Sequence, residues 1–238
     1  LPFALMGFVI GLYQSNQSFR SILLVLVVLC MIFARSAAMA FNRFIDANID
    51  ALNPRTATRE IPAGIISKKN ALLFIVFNVS AFVVTTYFIN PICFYLSPVA
   101  IFVILFYSYT KRFTPLCHIV LGLGLSLAPI GAYLAVTGVF AITPLLFSMI
   151  VITWVSGFDI LYALQDEEFD RSRGLKSIPV LLGRKGAIYL SLVLHAISAL
   201  LVVSIGYFFL PHWLYFIGAI IFISLLIYQH TLVTPSNI

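Results

Sequence analysis

Asn42-Arg43-Phe44-Ile45-Asp46-Ala47-Asn48-Ile49-Asp50 closes an apolar run from Ser21 to Phe41, and that junction decides the fold. An apolar run of about 20 residues crosses a bilayer core as a helix. If helical geometry continues to Asp50, then Asn42, Asp46 and Asp50 share one face, four residues apart. Two carboxylates one turn apart repel each other, unless a divalent cation sits between them. Ligands that are all oxygen suit Mg²⁺, which takes one or two carboxylates and the phosphates of a substrate. The pattern returns 120 residues later, where Asp166 and Asp170 close another apolar run.

Composition fixes the setting. The chain has 238 residues, of which 62% are hydrophobic and 9% charged. A water-soluble domain cannot hide that much apolar surface, so the expectation is a polytopic membrane protein, all-α. Cys30, Cys93 and Cys117 lie in apolar runs without metal or redox spacing and read as core residues. The net charge is +6, and all eight acids fall in two windows, Asp46 to Glu60 and Asp159 to Asp170. Bases crowd the same windows, in short loops between spans. Such loops suit a phosphate-bearing ligand or anionic lipid headgroup better than a nucleic acid.

Taken in order, the chain reads as eight spans in a single domain, residues 1–238. Residues 1–13 look like part of a first span. Spans two to eight follow at about 21–41, 71–89, 92–110, 115–136, 144–164, 186–210 and 213–229. Polar loops at 46–69, 111–114 and 165–185 fall on one side. That side carries eleven Lys and Arg residues: Arg55, Arg59, Lys68, Lys69, Lys111, Arg112, Arg171, Arg173, Lys176, Arg184 and Lys185. The other side carries only Arg20. The positive-inside rule therefore points both acidic motifs to the cytoplasm, in the cell inner membrane. A helix ending in paired acids after the second span and again after the sixth suggests two four-helix halves.

The candidate site residues follow from these placements. Facing acidic helices that hold two Mg²⁺ ions leave room for a diphosphate, and Arg55, Arg59, Lys111, Arg112 and Lys176 are placed to neutralise it. Orientation in the membrane alone also explains bases at these loops. Tyr107 precedes Lys111 by four residues, so both can point at one site; Tyr109 is a second candidate, as is Tyr162. Aromatic residues at span ends also belong to ordinary interfacial belts. Arg35 lies seven residues before Asn42, and Asp159 seven before Asp166, each on its motif's face. Charges inside spans are costly and usually functional; the plain alternative is a salt bridge between the two. His195 reads as a satisfied core residue.

These motifs resemble those of a known family. Asn42-x-x-x-Asp46-x-x-x-Asp50 and Asp166-x-x-x-Asp170 are similar to the two aspartate-rich motifs of the UbiA superfamily of intramembrane prenyltransferases. Tyr107-Ser108-Tyr109-Thr110-Lys111 looks like that family's Tyr-x-x-x-Lys element. Asn42–Gly64 and Gly157–Pro179 look most like its 4-hydroxybenzoate polyprenyltransferase branch, including relatives in menaquinone synthesis. The family usually has nine spans, so the chain is expected to be clipped at both ends. The resemblance implies Mg²⁺-assisted ionisation of a polyprenyl diphosphate and attack by the ring of an aromatic acid, in ubiquinone or menaquinone synthesis. It also implies an apolar groove for the prenyl tail, open to lipid. Asp46, Asp50, Asp166, Asp170 and Asp159 are then the catalytic candidates. The rival class is a transporter or ion pathway that uses Arg35 and Asp159 as a relay.

Overall fold

A computed structural model describes residues 1–233. Among the described residues nine α-helices follow in order: α1 Pro2–Ser15, α2 Ser21–Asp50, α3 Lys68–Tyr87, α4 Pro91–Thr110, α5 Cys117–Thr137, α6 Ile142–Ala163, α7 Glu167–Ser172, α8 Ile178–Phe208 and α9 Trp213–Leu232. No strand occurs among the described residues. Seven helical stretches are long and apolar enough to cross a membrane, so the chain is a multi-pass membrane protein. The eighth apolar helix, α1, has 14 residues. At 1.5 Å per residue it spans about 21 Å, short of a bilayer core of about 30 Å.

Side chains end the helices where the backbone runs out of partners. Ser67 accepts from the Asn70 amide at 3.2 Å at the start of α3, and Asn90 Oδ1 accepts from the Cys93 amide at 2.9 Å before α4. Inside α4, Pro98 supplies no N–H to the Phe94 carbonyl one turn back. The Ser97 hydroxyl donates to that carbonyl at 2.7 Å and so repairs the gap. A helix in lipid tolerates a proline on such terms.

Backbone contacts divide the chain into two compact units: Leu1–Tyr109 with Leu127–Phe140, and Thr110–Ser126 with Ala141 onward. The internal echo in the sequence suggested a division between spans four and five; one boundary falls there, at Tyr109/Thr110, and another falls inside α5, whose second half belongs to the first unit. Local packing explains this. In the first unit, Ala132, Ala135 and Val136 of α5 join Ala4, Phe8, Leu23 and Val27 in one buried cluster. In the second, a Cβ on Gly122 would stand 2.8 Å from the Ile152 carbonyl of α6. Only a glycine permits so close an approach there.

Two boundaries differ from expectation. The loop expected from residue 46 starts after Asp50, because α2 runs on through the acidic motif for 30 residues in all. The loop expected over 165–185 is mostly helical: a 3-10 turn, Leu164–Asp166, leads into α7, and α8 begins at Ile178. A break at Gly183, with φ 67°, separates the first turn of α8 from its long apolar part. Such a φ suits glycine.

Candidate active site

In the first unit, α2 carries Arg35, Asn42, Asp46 and Asp50 on one face, as its continuous geometry requires. The Asn42 amide donates to Asp46 Oδ2 at 3.2 Å, which leaves the Asn42 carbonyl oxygen available as a ligand. Asp50 is buried, and Arg59 Nη1 meets both its carboxylate oxygens, at 3.1 and 2.9 Å. The loop after α2 folds back to make this contact. Thr56 Oγ1 donates to the Asp50 carbonyl at 3.1 Å, and Asn53 Oδ1 accepts the Arg55 amide at 3.0 Å. Arg43 pairs with Glu60, and Lys68 donates to Asn48 at 3.1 Å. The Glu60 carboxyl is held below its usual range, first by its own backbone amide and then by Arg43. Arg55 is exposed in the loop after α2.

Arg35 is exposed from the helix and forms no ion pair among the described residues. The same unit holds an apolar groove of about 500 Å³ between α2, α3 and α4. Phe41, Val79, Val83, Ile101, Phe102 and Tyr109 help line it. Tyr109 meets Phe41 edge-on, with ring centroids 5.8 Å apart. Tyr109, the second candidate in the sequence, is therefore the tyrosine on the groove; Tyr107 is half-buried in α4.

In the second unit, Asp170 is fully buried, with Lys111 Nζ 2.7 Å from its Oδ1. The Lys176 amide donates to the Lys111 carbonyl at 2.8 Å, which ties the loop after α7 to the segment that carries Lys111. Asp166 is buried too. The sequence placed Asp166 and Asp170 at the C-terminal end of a long helix, where its dipole would oppose them. Instead α6 ends at Ala163, the 3-10 turn intervenes, and Asp166 stands at the N-terminus of α7. Acids are favoured there, so the dipole argument holds for the first motif and reverses for the second. Glu167, buried beside Asp166, is gripped by Arg171 at 2.8 Å and Arg184 at 3.1 Å. Arg112, Lys176 and Tyr162 are exposed.

Asp159, in α6, is paired within its own unit: His118 Nδ1 lies 2.6 Å from its Oδ2. The sequence had offered only Arg35 as a partner for Asp159; within its own unit that partner is His118. His118 was missed at the sequence level; the available signal was a lone histidine at the head of an apolar span. His195 behaves as read, since Nε2 donates to the Trp154 carbonyl at 3.1 Å and Nδ1 lies 2.7 Å from His230 Nε2.

Neither acidic motif forms a ready-made cage. Among the described residues, no group of three or more His, Cys, Asp or Glu side chains is placed to hold a metal ion. Each motif offers two carboxylates, the first with an amide oxygen, and a substrate must supply the remaining oxygens. That donor set fits Mg²⁺, which keeps few protein ligands and shares phosphates with its host. The fold and the motifs define a multi-pass helical membrane protein with two acidic motifs at helix ends and an apolar groove in its first unit.

Comparison with known proteins agrees. The profile of the UbiA prenyltransferase family matches residues 1–238, and the chain belongs to that family. A 4-hydroxybenzoate octaprenyltransferase of Tolumonas auensis is 30% identical over 224 residues, 94% of this chain and 78% of that protein. The enzyme of the same name from Vibrio parahaemolyticus is 31% identical over 211 residues, 88% of this chain and 74% of that one. The apo structure of a UbiA homolog from Aeropyrum pernix K1 aligns with a TM-score of 0.90 and 30% identity, over 97% of this chain and 86% of that one. A UbiA homolog from Archaeoglobus fulgidus, solved with GPP and Mg²⁺, aligns at 0.75 with 21% identity, over 98% and 89% of the two chains. This chain is therefore a prenyltransferase, and the transporter reading falls away.

Proposed function

We propose that this enzyme transfers a polyprenyl group from a prenyl diphosphate to the ring of a 4-hydroxybenzoate-like acid, in quinone synthesis. The observation that carries the reading is a buried carboxylate in each acidic motif, each met by a base: Asp50 by Arg59 and Asp170 by Lys111. A buried acid of this kind is expensive unless it is compensated. The names of the relatives support the acceptor, and the Archaeoglobus fulgidus homolog, solved with GPP or DMAPP and Mg²⁺, supports the donor class.

Asn42, Asp46 and Asp50 are the proposed ligands of one Mg²⁺, and Asp166 and Asp170 those of a second. The ions would supply positive charge against the diphosphate as it leaves. Arg59 and Lys111 are placed to share that load, with Arg55, Arg112 and Lys176 at the loop surface. The groove beside α2 would take the prenyl tail, and its aromatic faces shield a developing allylic cation. As the C–O bond to diphosphate breaks, a ring carbon of the acceptor bonds to the allylic carbon. The proton displaced from the ring passes to a base, for which Asp159 is the candidate. Arg35 is the candidate anchor for the acceptor's carboxylate. The excess of eleven loop bases over one supports a cytoplasmic side for both motifs, in the inner membrane.

Asp46→Ala and Asp166→Ala test the reading. Each is expected to abolish transfer while leaving the protein folded in the membrane. Wild-type turnover in either variant at any Mg²⁺ concentration rules out a site with two metal ions.

A further inference from the structure

We propose that His118 is a positioning residue for the transfer reaction, holding Asp159 in the one rotamer and charge state in which it can take the ring proton. This rests on the reading of Asp159 as the base. The geometry is specific about which nitrogen of His118 does what. The Ile178 amide, at the start of α8, donates to His118 Nε2 at 3.3 Å. An amide N–H only donates, so Nε2 carries no proton. The ring proton is therefore on Nδ1, and it is directed at Asp159 Oδ2, 2.6 Å away. His118 is buried, and both of its nitrogens are committed. It has no free lone pair, so it cannot itself accept the proton that Asp159 receives.

The surroundings hold the ring in place. Ser156 Oγ, one turn before Asp159, donates to the His118 carbonyl at 3.1 Å. Gly122, one turn after His118, lets α5 and α6 approach at backbone distance, and a Cβ there would stand 2.6 Å from Ser156 Oγ. The Ile178 amide is one of the N–H groups that a helix start leaves without an intrahelical partner, and the His118 ring satisfies it. Ile178 lies two residues after Lys176, whose amide is fixed to the Lys111 carbonyl at 2.8 Å. The loop that leads from Asp170 to α8, tied to the Lys111 carbonyl, thus also sets the start of α8, and through it the His118 ring. Asp159 remains partly exposed, with its side chain 29% accessible. One carboxylate oxygen is therefore spoken for, and the carboxylate stays reachable. The roles invert those of a hydrolase triad, in which a carboxylate orients a histidine.

The test uses the full-length enzyme in detergent or nanodiscs, with a prenyl diphosphate and 4-hydroxybenzoate as probes. His118→Ala is expected to lower kcat on the order of 10- to 100-fold, the cost of a misplaced reacting group. The KM for the diphosphate should stay the same. His118→Asn, whose amide donates near the Nδ1 position, should recover most of that loss. In an Asp159→Ala background His118→Ala should cost nothing further, because one function is lost once. Ring ¹⁵N spectra should show His118 as the Nδ1–H tautomer in the wild type, with the Nδ1–H resonance shifted in Asp159→Ala, where that N–H loses its carboxylate acceptor. His118→Asn also covers the case in which the alanine variant does not fold. The proposal is overturned if His118→Ala keeps the wild-type kcat while Asp159→Asn is inactive, or if the two losses multiply in the double variant. Wild-type kcat in Asp159→Asn would instead remove the base reading itself, and the positioning role with it.

Discussion

Lys111, proposed to meet the diphosphate, also pairs with a buried carboxylate. Its ammonium lies 2.7 Å from a carboxylate with no exposure. Removing one partner of a buried pair typically costs about 3–5 kcal/mol, because the other is left charged and alone. Lys111→Ala should therefore raise the KM for the prenyl diphosphate and also lower the thermal midpoint, with the acceptor's KM unchanged. Pairing it with Asp170→Asn should recover the midpoint without recovering the diphosphate KM. A recovered diphosphate KM would show that Lys111 acts only through Asp170. Arg35 offers the opposite case, a cation deep in an apolar helix with no ion-pair partner among the described residues. Arg35→Lys keeps the charge and loses the fork that grips a carboxylate with two bonds. The acceptor's KM should rise about 10-fold, equivalent to one lost hydrogen bond to a charged group, with the diphosphate's KM unchanged. Equal effects on both substrates would refute the anchor role.

Among the elements, α2 was the most legible and the segment after α6 the least. In α2, spacing alone put Asn42, Asp46 and Asp50 on one face, because nothing in the sequence interrupts the helix. After Ala163 the same spacing misled. The four residues from Asp166 to Asp170 span a 3-10 turn and a fresh helix start rather than one continuous helix. Periodicity reports a repeat of about 3.6 residues and is blind to a single tightened turn. The partner of Asp159 was also out of reach, since His118 is 41 residues away and meets it only after α5 and α6 pack. That packing depends on small residues, and in the first unit α1 relies on one as well. A Cβ on Gly7 would lie 2.2 Å from the Pro129 carbonyl of α5, and a backbone atom cannot step aside as a side chain can. Gly7→Ala should lower stability by about 1–3 kcal/mol, the usual cost of overpacking. A melt within error of the wild type would show that α1 is not held there.

At the scale of the molecule, the sequence disclosed a membrane protein because hydrophobic content and span length leave few other options. Its acids, clustered where apolar runs end, pointed to a metal and a phosphate, and the resemblance of those motifs to a known family implied the reaction class. What stayed hidden is local geometry that periodicity does not encode, the fold-back of Arg59 onto Asp50 and the break at Gly183, and which residues line the groove that the resemblance implied. The central claim is that both acidic motifs serve one Mg²⁺-dependent prenyl transfer. The most direct measurement is pyrophosphate release by membranes that carry the protein, given a prenyl diphosphate with Mg²⁺ and 4-hydroxybenzoate added or withheld. The account predicts release, matched by prenylated product, only when both are present. Release of equal size without Mg²⁺, or none with both present, would contradict it.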